Sequence, residues 1–151
     1  MAIEIRPLTL AIDAESIAAV VSLAESEPVL PQHVREWDDM PVDGKQVCRI
    51  GAFAPTGQMI GYGAASTGPW LPERNFGVVA IVLPEYRGQG IGARLFDELA
   101  DWSHANGAQR LKSEVRDNDP TALRFARKRN FEIERHIFES VLDLTTFDFA
   151  P

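Results

Sequence analysis

Alternating apolar and polar positions predict the strands of this chain. Residues 2–6 alternate as a half-buried strand does, and residues 46–54 and 58–66 alternate in part. Between the last two, Pro55-Thr56-Gly57 is suited to a hairpin turn, because proline fixes one φ and glycine tolerates a positive one. The continuous apolar run in residues 76–83 predicts a strand that is buried on both faces. We further expect a loop at residues 67–75, a fifth strand at 111–116 and, at 131–143, a final long strand or a bent pair of strands.

Apolar residues at helical spacing predict four helices. The first is capped by Asp13, with Ile17, Val20, Val21 and Ala24 on one stripe, and a short second helix opens at Pro31. The third ends at Gly107, and the fourth is capped by Asp119 and ends at Asn130. The apolar stripe of the third helix comprises Ile91, Leu95, Leu99 and Trp102. The element order β-α-α-β-β-β-α-β-α-β predicts an α/β protein, a mixed sheet flanked by helices.

Composition and charge narrow the classes of function. With 151 residues, 45% hydrophobic and 25% charged, the chain fits one soluble globular domain, which we place at residues 2–145. The net charge of -7 argues against a nucleic-acid or anionic-membrane partner. No signal peptide or membrane helix is indicated, so we expect a cytoplasmic protein. We expect residues 146–151 to form a tail that packs on a partner chain, as in a homodimer, or leads to a further domain.

The candidate chemistry lies between the strand at residues 76–83 and the third helix. Its sequence is Arg87-Gly88-Gln89-Gly90-Ile91-Gly92. Glycines at alternate positions let the backbone turn tightly and approach a ligand closely. The N–H groups of residues 88–93 then face outward and, with the helix dipole, form an anion site suited to a pyrophosphate. The spacing departs from both the P-loop and the Gly-x-Gly-x-x-Gly pattern, although a nucleotide-binding protein of another family stays an alternative. No spacing of His, Asp or Glu indicates a metal site.

Residues 83–92 resemble the acetyl-CoA signature of the GNAT family of N-acetyltransferases, Arg/Gln-x-x-Gly-x-Gly/Ala. Residues 119–131 resemble its second motif, Asn-x-x-Ala-x-x-x-Tyr-x-x-x-Gly-Phe, and the element order matches over nearly the whole chain. The resemblance implies a mixed sheet with splayed parallel strands 4 and 5. It also implies transfer of an acetyl group from acetyl-CoA to a primary amine of a small molecule, protein or peptide. The residues it implies for acetyl-CoA binding are Ile81, Val82, Leu83, Arg87, Gly88, Gln89, Gly90, Ile91, Gly92, Ala93 and Asp119.

The resemblance implies direct attack by the amine in a ternary complex. A backbone N–H near Ile81 or Val82 would stabilise the developing oxyanion, and Cys48 need not carry the acyl group. Where the family most often has a tyrosine that protonates the departing thiolate, this chain has Ala126. Because of that departure, a non-catalytic acyl-CoA-binding sensor or partner module stays an alternative function.

A general base is expected, because an alkyl amine is mostly protonated at pH 7 and only the neutral amine attacks. Glu114 matches a glutamate that acts as base in the ribosomal-protein N-acetyltransferase branch of the family. The alternative for Glu114 is a surface carboxylate at the end of the fifth strand, paired with Arg116 or Lys112. Glu73, at the entrance to the fourth strand, is a second candidate base.

Overall fold

The computed structural model describes residues 2–25, 27–116 and 118–134. The chain divides into two units, Met1–Glu114 and Val115–Pro151. The first unit holds a five-stranded sheet and three α-helices, and the described part of the second holds one α-helix.

The sheet is mixed, as the sequence predicts. Its strands are β1 (Glu4–Pro7), β2 (Gln46–Phe53), β3 (Met59–Thr67), β4 (Asn75–Val82) and β5 (Arg110–Lys112), and they lie in that order. The first four pair antiparallel, whereas β4 and β5 are parallel. The parallel pairing covers only Asn75↔Arg110, Phe76↔Leu111 and Gly77↔Lys112. Beyond Gly77, β4 therefore has no strand on that side among the described residues, which confirms the separation of strands 4 and 5.

Helices cover both faces of this sheet. The helices of the first unit are α1 (Leu10–Val21), α2 (Pro31–Glu36) and α3 (Ile91–Ala105), and a 3₁₀ turn spans Pro84–Tyr86. Buried residues of α1 and α2 form one core cluster with Phe53, Tyr62 and Ile81, and we call this side of the sheet the α1 face. On the opposite side, the α3 face, a Cβ added to Gly63 would lie 2.8 Å from Leu99 Cδ1. Glycine at that position therefore lets α3 pack directly on the strands.

Three helix ends follow the local sequence as expected. At the end of α3, Gly107 adopts a φ of +96°, and Ala108 N–H donates to the Ser103 carbonyl at 2.9 Å. In the second unit, α4 (Pro120–Lys128) begins after Asp119, whose carboxylate accepts the N–H of Ala122 at 3.1 Å. Asn130 has a φ of +64°, which ends α4 in the predicted left-handed conformation.

The start and end of α1 differ from the prediction. The helix begins at Leu10, with Thr9 as N-cap, and not after Asp13. Asp13 lies in the first turn, where its buried carboxylate accepts the Thr9 N–H at 2.9 Å and pairs with Arg6 at 3.2 Å. Burial raises the pKa of Asp13, but the hydrogen bonds from Arg6 and Thr9 and the charge of Arg6 outweigh it and lower this pKa. Because α1 ends at Val21, Ala24 lies beyond the helix.

The strands near the candidate site also differ in part from those predicted from the sequence. Val79 is 38% exposed, so β4 is not buried on both faces; α1 and α2 leave this part of the α1 face open. The fifth strand ends at Lys112, and Glu114 therefore does not lie on it. Residues 131–134 form no strand, and the rest of the predicted final strand and the predicted tail lie outside the described residues.

Candidate functional site

A turn with two left-handed glycines joins the end of β4 to α3. Gly88 has a φ of +78° and Gly90 a φ of +82°, and a Cβ added at either would meet no atom within 4 Å. Glycine is therefore favoured here by the backbone conformation, and open space lies in front of both residues. Gly90 is the N-cap of α3 and offers no side chain to cap it. Arg94 is the first helical residue whose N–H reaches the Gly90 carbonyl, at 3.1 Å, so the N–H groups of residues 91–93 have no acceptor within the helix.

Among the described residues, no strand pairs with the C-terminal half of β4 on the side of β5, and we call this side next to the turn its open edge. Leu83 N–H donates to the Ile60 carbonyl of β3 at 2.9 Å. Since backbone groups alternate in direction along a strand, Ile81 N–H also faces β3, and Val82 N–H faces away from it. The Val82 carbonyl accepts a hydrogen bond from Arg87 Nε at 3.0 Å, which agrees with that direction. Of the two N–H groups expected from the sequence, that of Val82 is directed toward the open edge.

The other residues expected to bind acetyl-CoA have different surroundings. Arg87 is exposed, and its side chain links the glycine turn to the end of β4. The Ile91 side chain is buried in the core, so only its backbone is available to a ligand. A Cβ added to Gly92 would lie 3.7 Å from Val82 Cγ2. Asp119 belongs to the second unit, where it caps α4. Gln89 is exposed, and Leu83 and Ala93 are half-buried.

The two candidate bases lie in different places relative to the glycine turn. Glu73 precedes Asn75, the first residue of β4. Seven residues of strand place the Cα atoms of Asn75 and Val82 about 23 Å apart. Glu73 thus lies beyond the end of β4 that is remote from Val82. Glu114 is exposed and lies two residues after Lys112, whose partner in the β4 register is Gly77.

Two described concavities lie away from the turn. One, of about 420 Å³, is lined by residues of β1 and of the β2–β3 hairpin, such as Glu4, Phe53 and Pro55. The other, of about 430 Å³, is lined by Gln46, Thr67, Arg74, Phe76, Asn106 and Gly107. Neither of the two is lined by residues 83–93.

A charged cluster that no local sequence pattern predicts lies on the α1 face. Asp38, just after α2, accepts hydrogen bonds from Arg49 at 2.7 and 3.1 Å and from Lys45 at 3.0 Å. The pKa of Asp38 is lowered from 3.8 to about 2, chiefly by its hydrogen bonds from Arg49. Burial acts in the opposite direction and raises this pKa, whereas the hydrogen bond from Lys45 lowers it further. Arg49 also lies 5.5 Å from the centre of the Trp37 ring. Burial raises the pKa of Tyr62, and the positive charge of Arg49 acts against this rise.

Asp38→Asn is expected to lower the free energy of unfolding at pH 7 by about 1 kcal/mol, because Asp38 is 48% exposed and solvent screens its ion pairs. The folded-state pKa of about 2 is below the ordinary 3.8, so the carboxylate's contribution is present above pH 4 and is lost as the pH falls through 2. Urea unfolding of both proteins at several pH values between 2 and 7 measures this. The difference between them should shrink below pH 4, and a constant difference would contradict the assignment.

Three further features of the described residues bear on other kinds of function: the Cys48 thiol, possible metal ligands and possible membrane-spanning helices. Burial, followed by the charge of Glu98, raises the pKa of the Cys48 thiol, which disfavours the nucleophilic thiolate. No group of three or more His, Cys, Asp or Glu side chains that could hold a metal ion occurs among residues 2–25, 27–116 and 118–134. None of the described helices has both the length and the apolar character needed to cross a bilayer.

Comparison with known proteins identifies a family match over most of the chain. A model of the acetyltransferase (GNAT) family matches residues 14–131. No curated protein sequence matches significantly.

Solved structures with a similar fold include several acetyltransferases. An acetyltransferase of Trypanosoma brucei is 22% identical, with a TM-score of 0.69 over 95% of this chain and 100% of that chain. The aminoglycoside antibiotic 6'-N-acetyltransferase AAC(6')-Ih of Acinetobacter baumannii is 16% identical, with a TM-score of 0.71 over 95% and 99%. AAC(6')-Iy, in complex with the bisubstrate analogue CoA-S-monomethyl-acetylneamine, is 18% identical, with a TM-score of 0.71 over 95% and 100%. At sequence identities of 16–22%, these similarities show that the chain shares the fold of these proteins.

Proposed function

Because the chain belongs to the acetyltransferase (GNAT) family, we propose that it transfers the acetyl group of acetyl-CoA to a primary amine. The observation that carries the proposal is the glycine turn beside the open edge of β4. Backbone donors at the start of α3 lie there next to an edge of β4 with which no described strand pairs. Acceptors of two kinds fit this proposal, an amine of a small molecule and an amine of a protein or peptide.

The two parts of the site suit two parts of acetyl-CoA. The N–H groups of residues 88–93, together with the positive end of the α3 dipole, would bind the pyrophosphate. The pantetheine arm, which carries amide groups, would lie along the open edge of β4 and pair with its backbone as an added strand does. Arg87 would hold the end of β4 to the turn through its bond with the Val82 carbonyl. Acetyl-CoA supplies the thioester that the amine attacks.

Val82 is the residue that we place at the reacting carbonyl. Its N–H, directed to the open edge, would donate to the carbonyl oxygen as negative charge develops there. The attacking nitrogen forms a bond to the carbonyl carbon, the carbon–sulfur bond breaks, and the nitrogen loses a proton. With Ala126 where the family most often has tyrosine, the departing thiolate takes its proton from water. That is tolerable because a thiol has a pKa of about 8.5 and leaves readily.

We propose Glu114 as the proton acceptor. The fifth strand runs parallel to β4, and continuing its Gly77↔Lys112 register by two residues would put Glu114 at the level of Val79. Glu114→Gln is expected to lower turnover about 10²-fold, to leave acetyl-CoA affinity unchanged and to flatten the acidic limb of the pH–rate profile. Steady-state kinetics across pH and calorimetric titration with acetyl-CoA measure these effects. A small effect with an unaltered limb would instead assign the proton to solvent.

A direct assay separates the proposed function from its alternatives. CoA release is measured with a thiol reagent while the protein is supplied with acetyl-CoA and a panel of primary amines. The proposal expects amine-dependent release, together with binding of CoA in preference to NAD or ATP. Acetyl-CoA binding without release in the presence of any amine would favour the sensor or partner module, and preference for NAD or ATP would favour another family of nucleotide-binding proteins.

A further inference from the structure

The α1 face is open next to the edge of β4 where we place the thioester. Opposite residues on neighbouring strands share a face, and one such row is Tyr62↔Ile81, where both side chains are buried. The next row, Arg49↔Ala64↔Val79, is open at β4, since Val79 is 38% exposed. An acceptor can therefore lie on this row while its amine reaches the edge of β4.

The opposite face offers no comparable approach. There α3 packs on the sheet, and its Leu95 and Leu99 side chains are fully buried. A Cβ added to Gly61 would lie 3.1 Å from Leu95, so helix and strand are in direct contact. The acceptor consequently meets the residues of the α1 face.

Arg49, at one end of the open row, belongs to a cluster with an excess of positive charge. Arg49 and Lys45 are 13% and 21% exposed, and Asp38 is the only carboxylate among the described residues within ion-pair distance of either. Two largely buried cations thus share one carboxylate. Charges removed from water are stabilised by pairing with the opposite charge. Because Asp38 balances only one of the two cations, the remaining positive charge would be stabilised by binding a further anion. Lys45 has three N–H donors, of which two bind the Trp37 carbonyl and Asp38.

We propose that the acceptor amine carries a carboxylate, as amino acids and peptides do, and that Arg49 and Lys45 bind this group. The inference rests on the proposed function and names the class of its acceptor. Neighbouring strands are about 4.8 Å apart, so the Cα atoms of Arg49 and Val79 lie roughly 10 Å apart, a distance that an arginine side chain and an amino acid span together. Val79 and Ala64 would contact the apolar part of the acceptor.

Titration calorimetry with reaction products tests the inference without requiring turnover. The probes are matched pairs that differ by one carboxylate, N-acetyltyrosine with N-acetyltyramine and Nε-acetyllysine with N-acetylcadaverine, each titrated with and without CoA. Lys45→Gln removes one cation of the cluster, and Lys45→Arg keeps it. Arg35→Gln is the matched control, because it removes the same charge from an exposed residue of α2 that pairs with Glu15 instead.

The wild-type protein should bind the carboxylated member of each pair about tenfold or more tightly than its partner, as expected for a charge-assisted hydrogen bond. Lys45→Gln should lower that preference about tenfold, whereas Lys45→Arg and Arg35→Gln should retain it. The inference would be overturned by equal binding within the pairs, by binding of neither member, or by an unchanged preference in Lys45→Gln. It would also be overturned if neamine, a polycation without a carboxylate, bound more tightly than the carboxylated probes. Titration of the same samples with acetyl-CoA shows separately whether the proposed function fails.

Discussion

Replacement of Gly90 by glutamate is expected to weaken acetyl-CoA binding by 100-fold or more while the protein still folds. A side chain at residue 90 would extend into open space in front of α3, because its Cβ meets no atom within 4 Å. There its carboxylate would occupy the place proposed for the pyrophosphate, and placing like charges side by side costs several kcal/mol. The left-handed φ adds a stability cost of about 1–2 kcal/mol. Titration calorimetry with acetyl-CoA gives the affinity, and urea unfolding gives the stability.

Gly107→Glu is the matched control for this change. Gly107 has a φ of +96° and equally open surroundings, so the two variants carry similar backbone strain. It lies beyond the other end of α3, whose 15 residues span about 22 Å. Gly107→Glu should therefore lose stability and keep its affinity for acetyl-CoA. Equal affinity in the two variants would show that the glycine turn does not bind the pyrophosphate.

Val82→Pro is expected to lower turnover by about 10²- to 10³-fold, the loss typical of removing one donor to an oxyanion. Proline at this position removes the N–H that faces the open edge. It leaves the hydrogen bonds between β4 and β3 in place, since the neighbouring Leu83 makes the bond to Ile60. Proline is tolerated in a strand where its nitrogen faces a free edge. Single-turnover kinetics at saturating acetyl-CoA, with an amine from the panel, measure the effect on the chemical step.

Val82→Ala serves as the control, because it shortens the side chain and keeps the N–H. Its turnover should stay within a few-fold of the wild-type rate, and its affinity for acetyl-CoA should equal that of the wild-type protein. If Val82→Pro, shown to be folded by circular dichroism, turned over at the rate of Val82→Ala, the oxyanion donor would have to be another group.

The parts of the fold that depend on short-range chemistry could be predicted from the sequence. Gly107 and Asn130 end their helices, and Asp119 caps α4, because those preferences belong to single residues and their nearest neighbours. The start of α1 could not be predicted in this way. Thr9 and Asp13 are both good caps, and the ion pair that Asp13 makes with Arg6 of β1 accompanies the earlier start.

The candidate site was predictable only where it coincides with the glycine motif. Choosing Val82 over Ile81 as the exposed donor requires the register of β4 on β3, which no local pattern specifies. The partner of Arg49 is Asp38, eleven residues away and beyond the end of α2. A cation within the alternating strand β2 was the only signal for that cluster. The length of the fifth strand likewise depends on pairing with a distant segment, which is why Glu114 was expected on a strand that ends earlier.

Amide chemical shifts in a titration with acetyl-CoA test the central claim most directly. In ¹H–¹⁵N spectra of the wild-type protein, the largest changes should fall on Val82 and residues 88–93, while Gly107, at the other end of α3, stays unchanged. Desulfo-CoA should reproduce the changes at residues 88–93, because it keeps the pyrophosphate and lacks the thioester. Changes confined to the concavity around Thr67 and Arg74, or to that beside β1, would contradict binding of acetyl-CoA at the glycine turn.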